Sequence, residues 1–158
     1  MEVKFEDLDI GKVINDDLID LELKSTTKLG VIQELTHLLY KNHCINSEEN
    51  FIQDVLYRED QGVTGLEKGI AIPHGKSESV IKTSLAIGRT KKPIEWESMD
   101  GKPIEVIFLF AVRKSDSNTL HIKLLQKVAT LLAHEDILNR FHQVKTKQEI
   151  IRLLLKNT

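Results

Sequence analysis

Residues 104–112 read Ile-Glu-Val-Ile-Phe-Leu-Phe-Ala-Val, apolar at every position except Glu105. An amphipathic helix would interpose polar residues with a period of 3.6, and a strand with one wet face would alternate. A short run that is apolar on both sides fits a central strand covered on both faces. The Asp100-Gly101 pair just ahead of it is a turn signal. A chain containing such a strand must supply a layer of structure above it and another below.

The flanking segments provide those layers. Ile19, Leu21 and Leu23 alternate with Asp20 and Glu22, the period of a half-buried strand. Ser25 or Thr26 is placed to cap a helix whose apolar positions are Leu29, Ile32, Leu35, Leu38 and Leu39. Ser47, followed by Glu48 and Glu49, starts a second helix, in which Phe51 meets Val55 and Ile52 meets Leu56. Two further short strands are expected at Gly69-Ile70-Ala71-Ile72, stopped by Pro73, and at Leu85-Ala86-Ile87-Gly88. Leu120, Leu124, Leu125, Val128, Leu131 and Leu132 form a helical stripe. Thr146-Lys147-Gln148-Glu149 is a capping box, leading into a terminal helix that buries Ile150, Leu153 and Leu154. Helices on both sides of a central sheet are the simplest solution to this order.

Composition removes several function classes. The 158 residues suit one domain, and 22 Lys+Arg against 24 Asp+Glu leave a net charge of −2, with no polybasic field for nucleic acid. The longest unbroken apolar run, 106–112, has seven residues, whereas a membrane helix needs about 20. The N-terminal Met-Glu-Val-Lys-Phe-Glu-Asp lacks the basic-then-apolar profile of a signal peptide, so a cytoplasmic protein is expected. The single cysteine, Cys44, excludes an internal disulfide and a multi-cysteine zinc site, and reads as a small core residue. Six histidines remain as the reservoir of chemistry near neutral pH.

The segment richest in chemical meaning is Gly69-Ile70-Ala71-Ile72-Pro73-His74-Gly75-Lys76. His74 leaves the end of an apolar strand between a proline that fixes its own φ and a glycine that removes a side chain from the approach to the ring. That is one way to present an imidazole nucleophile to a large partner; the plainer alternative is a turn that happens to hold a histidine. His121 opens the helix of the leucine stripe, where free N–H groups meet an anion, or else it is a boundary residue at the core edge. Arg58 ends the second helix, either as ordinary solvated surface or as a guanidinium fork for phosphate oxygens. His37, His43, His134 and His142 read as structural, and no His-x-x-x-His pair occurs. Arg89, Thr90, Lys91 and Lys92 form a short basic patch, a solvated strand exit or a partner contact. Nucleotide phosphate loops and a Gly-x-Ser-x-Gly elbow are absent.

At these residues the sequence resembles the enzyme IIA domain of the phosphoenolpyruvate-dependent sugar phosphotransferase system, fructose/mannitol type. The resemblance is carried by the Gly-Ile-Ala-Ile-Pro-His-Gly-Lys segment ending at Lys76 and by Met99-Asp100-Gly101-Lys102-Pro103 ahead of the apolar strand. Arg58-Glu59, Thr64-Gly65-Leu66 and Leu120-His121 add to it, over about residues 13–155. It implies an α/β fold, a mixed central β-sheet flanked by helices on both faces (an α/β/α sandwich), as a single domain over residues 1–158. It further implies that His74 is the phosphoryl acceptor, forming a tele-phosphohistidine. His121 would be the second active-site histidine, and Arg58 would stabilise the phosphoryl group. Phospho-HPr would be the donor and a cysteine of an enzyme IIB the acceptor, with a membrane IIC sugar permease further along and no cofactor or metal required. Because the family often occurs fused to IIB and IIC, and neither is found in this sequence, the partners are expected on separate chains.

Two other readings stand beside the sugar phosphocarrier. One is a regulatory, nitrogen-type IIA protein that uses the same His74 as a phosphorylation-switched binding module. The other is a metal-dependent or hydrolytic enzyme built on His74 and His121, for which no carboxylate has ligand spacing to either.

Overall fold

The structure, a computed structural model, describes residues 10–116 and 120–157. Its strands are β1 (Ile19–Leu23), β2 (Ile70–Ala71), β3 (His74–Ser77), β4 (Ser84–Ile94) and β5 (Ile104–Arg113), joined in one mixed sheet. The apolar run is β5, the middle of that sheet. β4 pairs antiparallel along one side of it, β2 and β3 follow one another in parallel along the other, and β1 lies parallel on the far side of β4. The helices are α1 (Lys28–Lys41), α2 (Glu48–Glu59), α3 (Leu120–Leu132), α4 (Glu135–Gln143) and α5 (Lys147–Asn157).

Alternation along β5 divides the core in two. Val106, Phe108, Phe110 and Val112 join Leu85, Ile87 and the buried faces of α3, α4 and α5. Ile107, Leu109 and Ala111 join Ala71, Ala86 and the buried faces of α1 and α2. Helices therefore cover both faces, as expected. Phe108 meets Phe141 of α4 edge to face, ring centroids 5.2 Å apart. Side-chain size differs between the faces. On the α1/α2 side a Cβ at Gly88 would lie 2.5 Å from Leu23 Cδ1, and one at Gly75 would lie 2.9 Å from Val55 Cγ2. Small residues there let α2 lie directly on β3 and α1 on β4.

Several local expectations change. The N-cap of α1 is Thr27, whose Oγ1 accepts from the Gly30 N–H at 3.0 Å, rather than Ser25 or Thr26. The Glu34 carboxylate takes the N–H groups of Lys24 and Ser25 at 3.1 and 2.5 Å, so the chain is held beside the helix before it enters it. Leu29 is then exposed, on the outer face of α1. In α2, Phe51 and Val55 are buried, whereas Leu56 is exposed. β4 runs on to Ile94, past the basic patch, and α4 occupies the stretch around His134 and His142. The patch itself is divided: Thr90 is buried, Lys91 and Lys92 are exposed, and Arg89 Nη1 donates to the carbonyls of Phe141, His142 and Val144 at 3.3, 3.3 and 2.6 Å. Arg89 thus serves as the C-terminal cap of α4.

Candidate functional site

His74 is the first residue of β3 rather than part of a free turn. Pro73 interrupts the edge of the sheet between β2 and β3, and its carbonyl still accepts from the Phe110 N–H at 3.0 Å, so the break costs little pairing. The register sets His74 beside Phe110 and Gly75 beside Ala111. His74 therefore shares the face covered by α3, and Gly75 faces α2. The role of Gly75 differs accordingly from the sequence reading: the missing side chain is needed against Phe51 and Val55, not over the ring.

Two of the three candidates meet in one cleft of about 390 Å³, walled by Arg58, His74, Lys76 and Lys114, with Asp54, Tyr57 and Gln61 completing it. Arg58 comes from the last turn of α2, and its Nη1 donates to the Gly62 carbonyl at 3.2 Å. Lys76 follows His74 by one strand period, and Lys114 comes from the turn after β5. The third candidate, His121, lies in the first turn of α3; its side chain falls outside the described residues.

His74 is 9% exposed, and its ring is oriented by its own strand. The carbonyl of Ile72 lies 3.3 Å from Nδ1. A carbonyl only accepts, so Nδ1 carries the proton and the lone pair resides on Nε2. Burial holds the ring below the ordinary histidine value of 6.5; the Ile72 carbonyl opposes this, and the charges of Arg58 and Lys76 add to it. The ring is neutral at pH 7. A neutral imidazole among three cations is equipped as a nucleophile toward an anionic centre whose oxygens the cations can hold.

Thr64, 2% exposed, ties both halves of the cleft together. Its Oγ1 donates to Glu59 Oε1 at 2.6 Å, and its carbonyl accepts from the Ile72 N–H at 3.0 Å. One residue thus braces the turn carrying Arg58 and the peptide that orients His74. Lys28 pairs with Glu59 at 3.0 Å and lies 5.1 Å over the ring of Trp96, whose Nε1 donates to Thr64 Oγ1 at 3.4 Å. The Met99-Asp100-Gly101-Lys102-Pro103 motif is the outer part of this brace. Asp100 accepts from the N–H groups of Lys68 and Lys102, both at 3.1 Å, and the Met99 N–H donates to the Gly65 carbonyl at 3.0 Å. Sequence reasoning assigned no role to Lys76, Lys114 or Thr64. Lys76 was recoverable from strand period; the other two are brought in by tertiary contacts.

None of the other described histidines lines this cleft. His37 pairs with Glu48 at 3.2 Å, His43 takes a left-handed φ of 62° after α1, and His142 bridges Glu105 and the Lys68 carbonyl at 2.8 and 2.6 Å. Cys44 is buried. Among the described residues no group of three His, Cys, Asp or Glu side chains is disposed to hold a metal ion, and no helix is long and apolar enough to cross a membrane.

Fold and cleft together define an α/β/α protein that presents a neutral imidazole within a cationic pocket at the edge of its sheet. Residues 12–157 match the family described as phosphoenolpyruvate-dependent sugar phosphotransferase system, EIIA 2. The chain belongs to this family. It is 34% identical to the fructose-specific EIIABC component of Bacillus subtilis over 92% of its own length, but spans only 23% of that relative. It is 33% identical to a nitrogen regulatory protein of Bradyrhizobium diazoefficiens, covering 84% of this chain and 85% of the relative. The crystal structure of the nitrogen regulatory protein IIA-Ntr from Neisseria meningitidis superposes with a TM-score of 0.84 at 28% identity, covering 92% of this chain and 98% of that one.

Proposed function

We propose that this chain is a cytoplasmic phosphocarrier of fructose-type sugar uptake, with His74 as the residue that is phosphorylated. In the first step the Nε2 lone pair of His74 attacks the phosphorus of phosphohistidine on HPr. The donor N–P bond breaks and its electron pair returns to the donor ring. In the second step a cysteine thiolate of enzyme IIB attacks the same phosphorus, and the electrons of the new N–P bond return to His74. Such transfer depends on in-line positioning and on stabilising charge at the equatorial oxygens, which Arg58, Lys76 and Lys114 line the cleft to do, with His121 as the further candidate donor. Phosphohistidine has a nitrogen leaving group, so neither step calls for a metal or a nucleotide. The observation that carries the reading is the His74 ring, held through Nδ1 by Ile72 with its lone pair on Nε2, in a cleft of three cations. The test is label from phosphoenolpyruvate in the presence of enzyme I and HPr: His74 takes the label, and a His74→Ala protein that still labels overturns the assignment.

A second reading has its own support in the 33% identity to a nitrogen regulatory protein over most of both chains. In it the same phosphorylation of His74 switches binding to a non-transport protein. Donation from the phosphorylated chain to an isolated fructose-type IIB cysteine favours the carrier; no donation, with a stable complex to a non-transport protein, favours the switch.

A further inference from the structure

A second cavity, of about 380 Å³, opens between α4 and α5, away from the residues that form the His74 cleft. Its rim carries Arg140 from α4 and Arg152 and Lys156 from α5, over a floor of Val144 and Leu153. All three cations are exposed, and none has a hydrogen-bond or ion-pair partner among the described residues. Elsewhere Lys28, Lys68, Arg113 and Lys114 each have a carboxylate within ion-pair distance.

Local structure does not account for the three. Arg140 is in the last turn of α4, where a cation ordinarily serves the helix's terminal carbonyls. That task is already taken by Arg89, which donates to Phe141, His142 and Val144 from the sheet side. Arg152 and Lys156 are four residues apart on one helix, a spacing at which like charges repel. The one carboxylate of the cleft, Glu149, is engaged by the Thr146 hydroxyl at 3.2 Å in the capping box of α5. The rim therefore holds three positive charges against one negative charge, over a floor of buried apolar side chains.

We propose that the α4/α5 cleft binds a small anion bearing two or more phosphate groups. Two guanidinium forks and an ammonium match the charge and oxygen geometry of a diphosphate better than a single carboxylate. The volume is that of a small-molecule site, roughly 300–1,000 Å³. The proposal is independent of the chemistry at His74.

The experiment is an amide NMR titration of the full chain with inorganic pyrophosphate at constant ionic strength, with citrate as the carboxylate arm. Saturable shifts in amides of residues 140–156 are expected. Arg140→Gln and Arg152→Gln should each weaken binding about tenfold, and Glu149→Gln should tighten it. All three positions are solvent-facing or capping-competent after substitution, and unchanged spectra elsewhere check the fold. Shifts near Arg58 and His74 would report the other cleft and should be indifferent to these variants. Shifts in 140–156 that fail to saturate, that survive Arg140→Gln/Arg152→Gln together, or that citrate elicits at lower concentration than pyrophosphate would overturn the proposal.

Discussion

His74 and His142 stand at the two ends of the same stretch of sheet edge, and each has one ring nitrogen on a backbone carbonyl. His142 Nε2 lies 2.6 Å from the Lys68 carbonyl, just before β2, and His74 Nδ1 lies 3.3 Å from the Ile72 carbonyl, just before β3. The difference is what meets the other side of the ring. His142 is held by the Glu105 carboxylate at 2.8 Å, so both of its nitrogens are spent on acceptors. It fastens α4 to a backbone with left-handed φ values of 60° at Lys68 and 78° at Gly69. His74 instead shares its cleft with Arg58, Lys76 and Lys114 and with a single carboxylate, Asp54. An acceptor beside an imidazole makes it a fastening; the cationic lining of the His74 cleft supports the role proposed for it toward an anion. Residue type alone does not distinguish these two roles.

The comparison breaks first at the residues themselves. His74→Ala is expected to abolish phosphoryl labelling, whereas His142→Ala should label at close to the parent rate. Next comes Arg58→Gln, expected to slow transfer about 10²-fold, with partial recovery in Arg58→Lys. Since Arg58 helps hold the His74 ring below 6.5, the same substitution should raise its titration midpoint, read from the ring proton shifts. The fastening is tested through stability. His142→Ala leaves the half-buried Glu105 carboxylate and the Lys68 carbonyl unmatched and should cost about 1–3 kcal/mol in denaturant unfolding. If His142→Ala silences labelling while remaining folded, the division of labour fails.

Two smaller effects sharpen it. Thr64→Val keeps the shape of the buried brace but removes its hydroxyl bonds to Glu59 and Trp96. The expected cost is about 1–2 kcal/mol, together with slower labelling at unchanged HPr affinity, both largely restored by Thr64→Ser. The smallest effect is in pH. The unfolded chain titrates His74 near 6.5 and the folded chain lower, so below 6.5 the unfolded state binds more protons. The stability contributed by this difference is present above 6.5 and is lost as pH falls through the folded value. A His74→Ala protein should show a flatter stability profile across that window, measured by thermal unfolding between pH 5 and 7.5.

Much of the layering was legible. The run at 104–112 marked a buried central strand, Ser47 capped α2 with its side chain on the Asn50 N–H, and the Thr146–Glu149 box capped α5. These are short-range rules of period and capping, which neighbouring residues satisfy by themselves. Elements whose cause was distant were not legible. β3 forms because Phe110 and Ala111 offer it an edge, and α4 ends where Arg89, more than fifty residues earlier, meets its carbonyls. The basic patch looked uniform in sequence because its partition, Arg89 half-buried and Thr90 buried while Lys91 and Lys92 stay exposed, belongs to a strand that outruns its apolar signal.

The sequence by itself determined that there is a core strand with a helical layer on either side, and it singled out His74, His121 and Arg58 as the residues to watch. The periodicities are local, and Pro73-His74-Gly75 is contiguous. Only the tertiary structure decided that His74 and Arg58 share a cleft, that Lys76 and Lys114 complete its charge, that Gly75 serves α2 rather than the ring, and that Thr64 braces both walls. The physical reason is range: a strand or a cap is fixed within a few residues, but the protonation and reach of an imidazole are set by whatever the fold brings within a few ångströms of it.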